Sequence, residues 1–123
     1  MVIGSRFIDS KLDGFKSSAA RRAGIKLISG FIKILTFKRV CDPTSGFRAV
    51  DKIIIEFFSK NYPTEYPEPV SEVTILKKKY TIKEVPVKMK EREAGKSSIH
   101  AWKNIYYMIN VFISMFIESI KRY

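Results

Sequence analysis

Cysteine occurs once, as Cys41, and histidine once, as His100. One thiol cannot close an internal disulfide, and the two residues are too sparse for an all-protein zinc or copper site. The expectation is an intracellular chain in which neither residue has a functional role. A charged leader followed by an apolar core and cleavage site is also missing, so secretion is not signalled. There is no internal repeat and no low-complexity tract. Acidic residues are scarce: 12 Asp+Glu against 23 Lys+Arg leave a net charge of +11. Such an excess points to anionic partners, namely a phosphate-bearing substrate, an acidic membrane face or nucleic acid. Aromatic residues are not interleaved with basic ones on a recognisable sheet face, so nucleic acid is not expected. With 46% hydrophobic and 28% charged residues in 123, the composition is that of one folded domain or part of one.

Val2-Ile3-Gly4 reads as a short buried strand that turns out at Gly4-Ser5-Arg6. From Lys16 to about Phe37, Ala20, Leu27, Ile28, Phe31, Ile32 and Leu35 recur at helical spacing, with Arg22, Lys26 and Lys33 as a basic stripe. Asp51 is placed to cap a helix running from Lys52 to Asn61. Prolines at 63, 67 and 69 predict an irregular loop from Tyr62 to Pro69, followed by a short helix from Val70 to Lys78. Tyr80 to Met89 alternates as a strand bent near Pro86, and Ser97 or Ser98 caps a last helix. Strands separated by helices predict a piece of an α/β layered fold.

Two blocks carry the chemistry. In Asp42-Pro43-Thr44-Ser45-Gly46-Phe47-Arg48-Ala49, hydroxyls and a cation flank a glycine, where backbone can approach a charged ligand. Turn chemistry also accounts for this string, with Asp42 as turn former, Gly46 at positive φ and Phe47 in the core. The second block runs from Glu84-Val85-Pro86-Val87 to Arg92-Glu93-Ala94-Gly95-Lys96-Ser97-Ser98. A Walker loop would need a glycine where Lys90 stands, so a nucleotide hydrolase is not expected. By its residues alone, the segment fits either an anion site at a helix N-terminus or a solvated basic loop with a serine cap.

Together the two blocks resemble the C-terminal half of family 2 glycosyltransferases, in the branch of dolichyl-phosphate mannosyltransferase. The resemblance extends from Val2 to about Ile113 and includes Ile3-Gly4-Ser5-Arg6-Phe7 and Tyr66-Pro67-Glu68-Pro69. It implies a partial GT-A-type (nucleotide-diphospho-sugar transferase) fold and inverting transfer of a sugar from a nucleotide-sugar donor to a lipid-phosphate or glycan acceptor. It assigns Arg92, Gly95, Lys96 and Ser97 to the donor diphosphate, and Asp42, Ser45, Gly46 and Arg48 to the acceptor. The family's general-base carboxylate falls on Val70, which cannot accept a proton; Glu68 and Glu72 are the nearby candidates. An acceptor that is already an anionic phosphate needs no strong base.

The family holds Mg²⁺ or Mn²⁺ with an Asp-x-Asp motif in an N-terminal half, and no such motif occurs here. The expectation is therefore an acceptor-side half, inactive alone, with no cofactor of its own and with the missing half as a possible separate subunit. The organisation expected is the GT-A-like half over 1–97 and an amphipathic helix over 98–123. In that helix, Trp102, Ile105, Tyr106, Ile109, Phe112, Ile113, Phe116 and Ile120 share a broad face. Only 14 uncharged residues separate Lys103 from Glu118, short of the ~20 needed to span a bilayer. Such a helix, with the basic stripe at 22–33, suits a peripheral position on anionic membrane, at the inner, cytoplasmic face of the cell membrane. The alternative to a transferase half is a non-catalytic basic module that binds such surfaces.

Overall fold

The computed structural model describes residues 1–9, 18–88 and 101–122, with backbone only for 101–104. In these residues the chain is a small α/β domain of four helices and one three-stranded mixed sheet. Val2–Ser5 forms β1, the central strand, flanked by the two-residue β2 (Arg48–Ala49) and by β3 (Lys83–Pro86). β1 runs antiparallel to β2 and parallel to β3, with Val2 opposite Lys83 and Ser5 opposite Pro86. β2 lies where the sequence reads as a turn, and β3 is shorter than the expected 80–89 segment. Its pairing to Ser5 continues one residue beyond the strand, as Val87 N–H donates to the Ser5 carbonyl at 3.0 Å.

The helices are α1 (Ala19–Thr36), α2 (Lys52–Asn61), α3 (Pro67–Lys77) and α4 (Ala101–Ile120). Ser18 caps α1, and Phe37 ends it in the left-handed conformation. Asp51 caps α2 as expected, accepting from the Ile54 N–H at 2.9 Å. α3 begins three residues earlier than the sequence suggests. Proline lacks only an N–H that the first helical turn leaves unpaired anyway, so Pro67 and Pro69 fit there. Tyr66 just before it holds φ at 48°, with its ring edge-on to Tyr107 at 5.0 Å.

α3 packs against both α1 and α4, and every residue from Pro69 to Ile75 is buried. A helix enclosed on all sides must satisfy its polar groups internally. Thr74 does so by donating to Glu118 of α4 at 2.6 Å, and Ser71 and Glu72 by meeting Arg48. Ile28 and Ile32 of α1, Val73 and Ile75 of α3, and Val111 and Met115 of α4 make the shared core with Ile3. Each such side chain contributes about 1.5–3 kcal/mol of burial. Ser29, buried on α1, donates its hydroxyl to the Val40 carbonyl and ties the helix to the chain leaving it.

Gly4 is required by close packing. A Cβ there would lie 2.5 Å from Phe47 Cδ1 and 2.9 Å from Val87 Cγ1. Gly4→Ala is expected to lower the unfolding free energy by about 1–2 kcal/mol as both side chains are pushed aside. Urea denaturation of the two proteins measures it; unchanged stability would show that Phe47 and Val87 yield freely.

Candidate functional site

Three sequence segments meet at the carboxyl ends of β1 and β3. Arg6, the first residue after β1, grips Asp42 in bidentate fashion, Nε to Oδ2 and a terminal nitrogen to Oδ1, both at 2.7 Å. Its backbone N–H adds a third bond to Asp42 at 3.1 Å, and its guanidinium reaches Thr44 Oγ1 at 3.0 Å. Asp42 is completely buried, so these donors replace the water its carboxylate gave up. The Asp42–Arg6 bond raises the Arg6 pKa further, against the opposing effect of burial. From β3, Glu84 accepts the N–H groups of Cys41 and Asp42 at 2.8–3.0 Å. Burial first, then Glu84, push the Cys41 thiol up, which makes it a weak nucleophile at neutral pH.

Ser45 closes the same turn. Its hydroxyl donates to the Gly4 carbonyl at 2.7 Å and accepts from the Phe47 N–H, while Gly4 N–H donates to the Phe47 carbonyl at 2.8 Å. Asp42, Thr44 and Ser45 thus bolt the turn to β1 and β3. Asp42→Ala would leave the Arg6 guanidinium and its amide without their acceptor. It is expected to lower stability by about 2–3 kcal/mol, read from urea denaturation; a change under half of that would mean water replaces the carboxylate at little cost.

Arg48 points inward from β2. Nε donates to the Ser45 carbonyl at 2.6 Å, one terminal nitrogen to the Glu68 carbonyl and Ser71 Oγ, each at 2.8 Å. The other donates to the Pro43 carbonyl at 3.2 Å and to Glu72 Oε1 at 2.6 Å. Guanidinium has five N–H donors, and five acceptors of this chain receive them. Arg48 is therefore committed to the fold, and an acceptor phosphate would have to displace one of these partners to reach it. Glu72 is fully buried, and its Oε2 has no hydrogen-bond partner. Burial pushes its carboxyl well above the usual range, outweighing the attraction of Arg48. In that enclosure it cannot reach an acceptor hydroxyl as a base. Val70 is buried too, and Glu68 is half-buried with its carbonyl on Arg48.

Two details of the turn differ from expectation. Phe47 is 66% exposed rather than in the core. Gly46 does not adopt positive φ; a Cβ there would meet open space. Beside it a cleft of about 220 Å³ is lined by Gly46, Arg48, Phe58, Tyr62 and Ser71, among others. Arg92, Gly95, Lys96 and Ser97 lie outside the described residues, as does His100.

Among the described residues no three His, Cys, Asp or Glu side chains gather to hold a metal ion. Asp42 and Glu84 accept N–H donors of this chain instead. What was not evident in the sequence is the role of Arg6 and Glu84. A cation just after a strand and a carboxylate within the next one were the available signals, but their pairing follows only from strand order. No protein-family model, no curated protein and no solved structure matches the chain.

Proposed function

We propose that this chain is the acceptor-side half of an inverting glycosyltransferase of GT-A-type architecture. It would work with a nucleotide-binding half to move a sugar from a nucleotide-sugar to a lipid-phosphate or glycan. One observation carries this reading: the Asp42–Arg48 block and the described start of the second block, Glu84–Val87, meet beside two parallel strands. Ser5 and Pro86 end side by side, and the Asp42–Ser45 turn is fastened over them by Arg6 and Glu84. The carboxyl ends of parallel strands are where ligands bind in open α/β sheets. The chain leaving β3 there leads directly to Arg92, Gly95, Lys96 and Ser97.

In this reading Asp42, Ser45 and Arg48 act by shaping the acceptor-side turn, and Gly46 leaves room beside it. Arg92 supplies the charge that faces the leaving diphosphate, for which a guanidinium fork is suited. With Val70 apolar and Glu72 enclosed, an anionic phosphate acceptor is favoured over a hydroxyl that needs deprotonation. The Mg²⁺ or Mn²⁺ of the family would be held by the other half.

The test is reconstitution. The chain is co-expressed with nucleotide-binding halves that carry an Asp-x-Asp motif, and sugar-nucleotide turnover is assayed with polyprenyl phosphate as acceptor. Transfer that requires both halves supports the reading. Stable pairs that bind nucleotide-sugar yet never transfer, with either lipid-phosphate or glycan acceptors, would overturn it.

A further inference from the structure

α4 turns Val111, Met115, Glu118 and Ser119 into the molecule. The opposite side carries Ile105, Ile109, Ile113, Phe116, Ile117 and Ile120, all roughly half exposed or more. Tyr106 joins them at 71% exposure. No charged group interrupts this side between Ile105 and Ile120, since Glu118 is buried against Thr74. An outward helix face is normally polar. Here the outer face is as apolar as the inner one.

α1 extends the surface. Gly24 and Phe31 of α1 face α4: a Cβ added at Gly24 would lie 3.9 Å from Met108 Sδ, and the Phe31 and Phe112 ring centres are 5.0 Å apart. Leu27 and Ile34 follow these two residues by three positions each, which places them next round the helix from the contact. They are 61% and 70% exposed. Past exposed Ala23 and Gly30 on the helix circumference stand Lys26, Lys33 and Arg22, all exposed. A continuous apolar strip thus spans both helices and is edged by cations, with exposed Lys121 and Arg122 at the end of α4.

We infer that this two-helix surface lies flat on an anionic lipid bilayer, with α4 and the Leu27–Ile34 strip in the headgroup boundary and the basic edge on lipid phosphates. Charge selects the occupant. Neither helix exposes an acidic side chain among the described residues, so a two-fold contact between copies would press like-charged edges together. Anionic headgroups neutralise those edges while the acyl region takes up the apolar strip. None of the described helices is long and apolar enough to cross a membrane, so the seat is in the plane. The inference stands independently of the transferase reading, because it uses α1 and the outer face of α4 alone.

Flotation with phosphatidylcholine vesicles, with and without phosphatidylglycerol, tests it. The chain is expected to float with the anionic vesicles only, and less at high salt. Ile109→Glu/Ile113→Glu should weaken binding more than about tenfold, and so should Leu27→Glu/Ile34→Glu, which distinguishes a joint surface from α4 acting alone. Lys26→Gln/Lys33→Gln should weaken it about fivefold per charge. These positions are exposed, and unchanged circular dichroism verifies folding. Three results would each overturn the inference: no binding to anionic vesicles, binding indifferent to the α1 variants, or a concentration-dependent dimer that the same variants disperse in a protein that ignores lipid.

Discussion

Arg48→Met is expected to lower the unfolding free energy by about 3–5 kcal/mol, the loss that follows when one member of a buried ion pair is removed. The variant keeps the aliphatic stem but leaves Glu72 enclosed with neither oxygen paired, and the Ser45, Pro43 and Glu68 carbonyls lose donors. The double variant Arg48→Met/Glu72→Leu should recover at least half of that loss, because a buried pair exchanged for apolar residues is often neutral. Urea denaturation of the three proteins measures both steps. An Arg48→Met protein as stable as wild type would return the guanidinium to the list of groups free to bind phosphate.

The same cycle has a pH signature. The Glu72 pKa is raised on folding, so the folded chain binds the proton more tightly than the unfolded one. Its contribution is fully present below the ordinary glutamate pKa and is lost as pH rises toward the folded value. Wild-type stability should therefore fall across that interval, and Glu72→Gln should remove this part of the slope. A slope unchanged in Glu72→Gln would assign it to other groups.

Arg92→Ala should reduce transfer by the reconstituted enzyme on the order of a hundredfold or more, the size of effect seen when one donor to a developing negative charge is lost. The reason is chemical. A diphosphate departing from a sugar accumulates charge on its oxygens, and a forked cation stabilises that charge more than it stabilises the bound donor. The effect is accordingly expected in kcat more than in KM, with Arg92→Lys restoring only a part. Full turnover in Arg92→Ala would remove the donor-side assignment, while Ser45→Ala serves as a comparison that perturbs the turn instead.

Local pattern was enough for much of the framework. The spacing of Ile28, Ile32 and Leu35 located α1, Asp51 located the start of α2, and Val2-Ile3-Gly4 located the central strand. Segments bonded across long stretches of chain were less legible. Whether Arg48 faces a ligand or the core depends on Ser71 and Glu72, more than twenty residues later. The prolines at 67 and 69 read as helix breakers in the sequence, yet they occupy the first turn of α3. Phe47 reads as a core residue by its hydrophobicity, yet its ring lies over Gly4 largely exposed while its carbonyl bonds the Gly4 amide. For Arg48 and Phe47 a distant partner decides the outcome; for the prolines it is their place in the first turn of α3.

The carboxylate of Glu84 also works as a ruler for strand alignment. Sliding β3 by one residue along β1 would shift it about 3.3 Å and turn its side chains to the other face. Lys83 or Val85 would then stand opposite Ile3, and the amides of Cys41 and Asp42 would lose their acceptor. Misaligned forms of this small sheet are thereby penalised at the very junction where the turn is fastened. A Glu84→Ala chain would be freer to settle with its strands out of step.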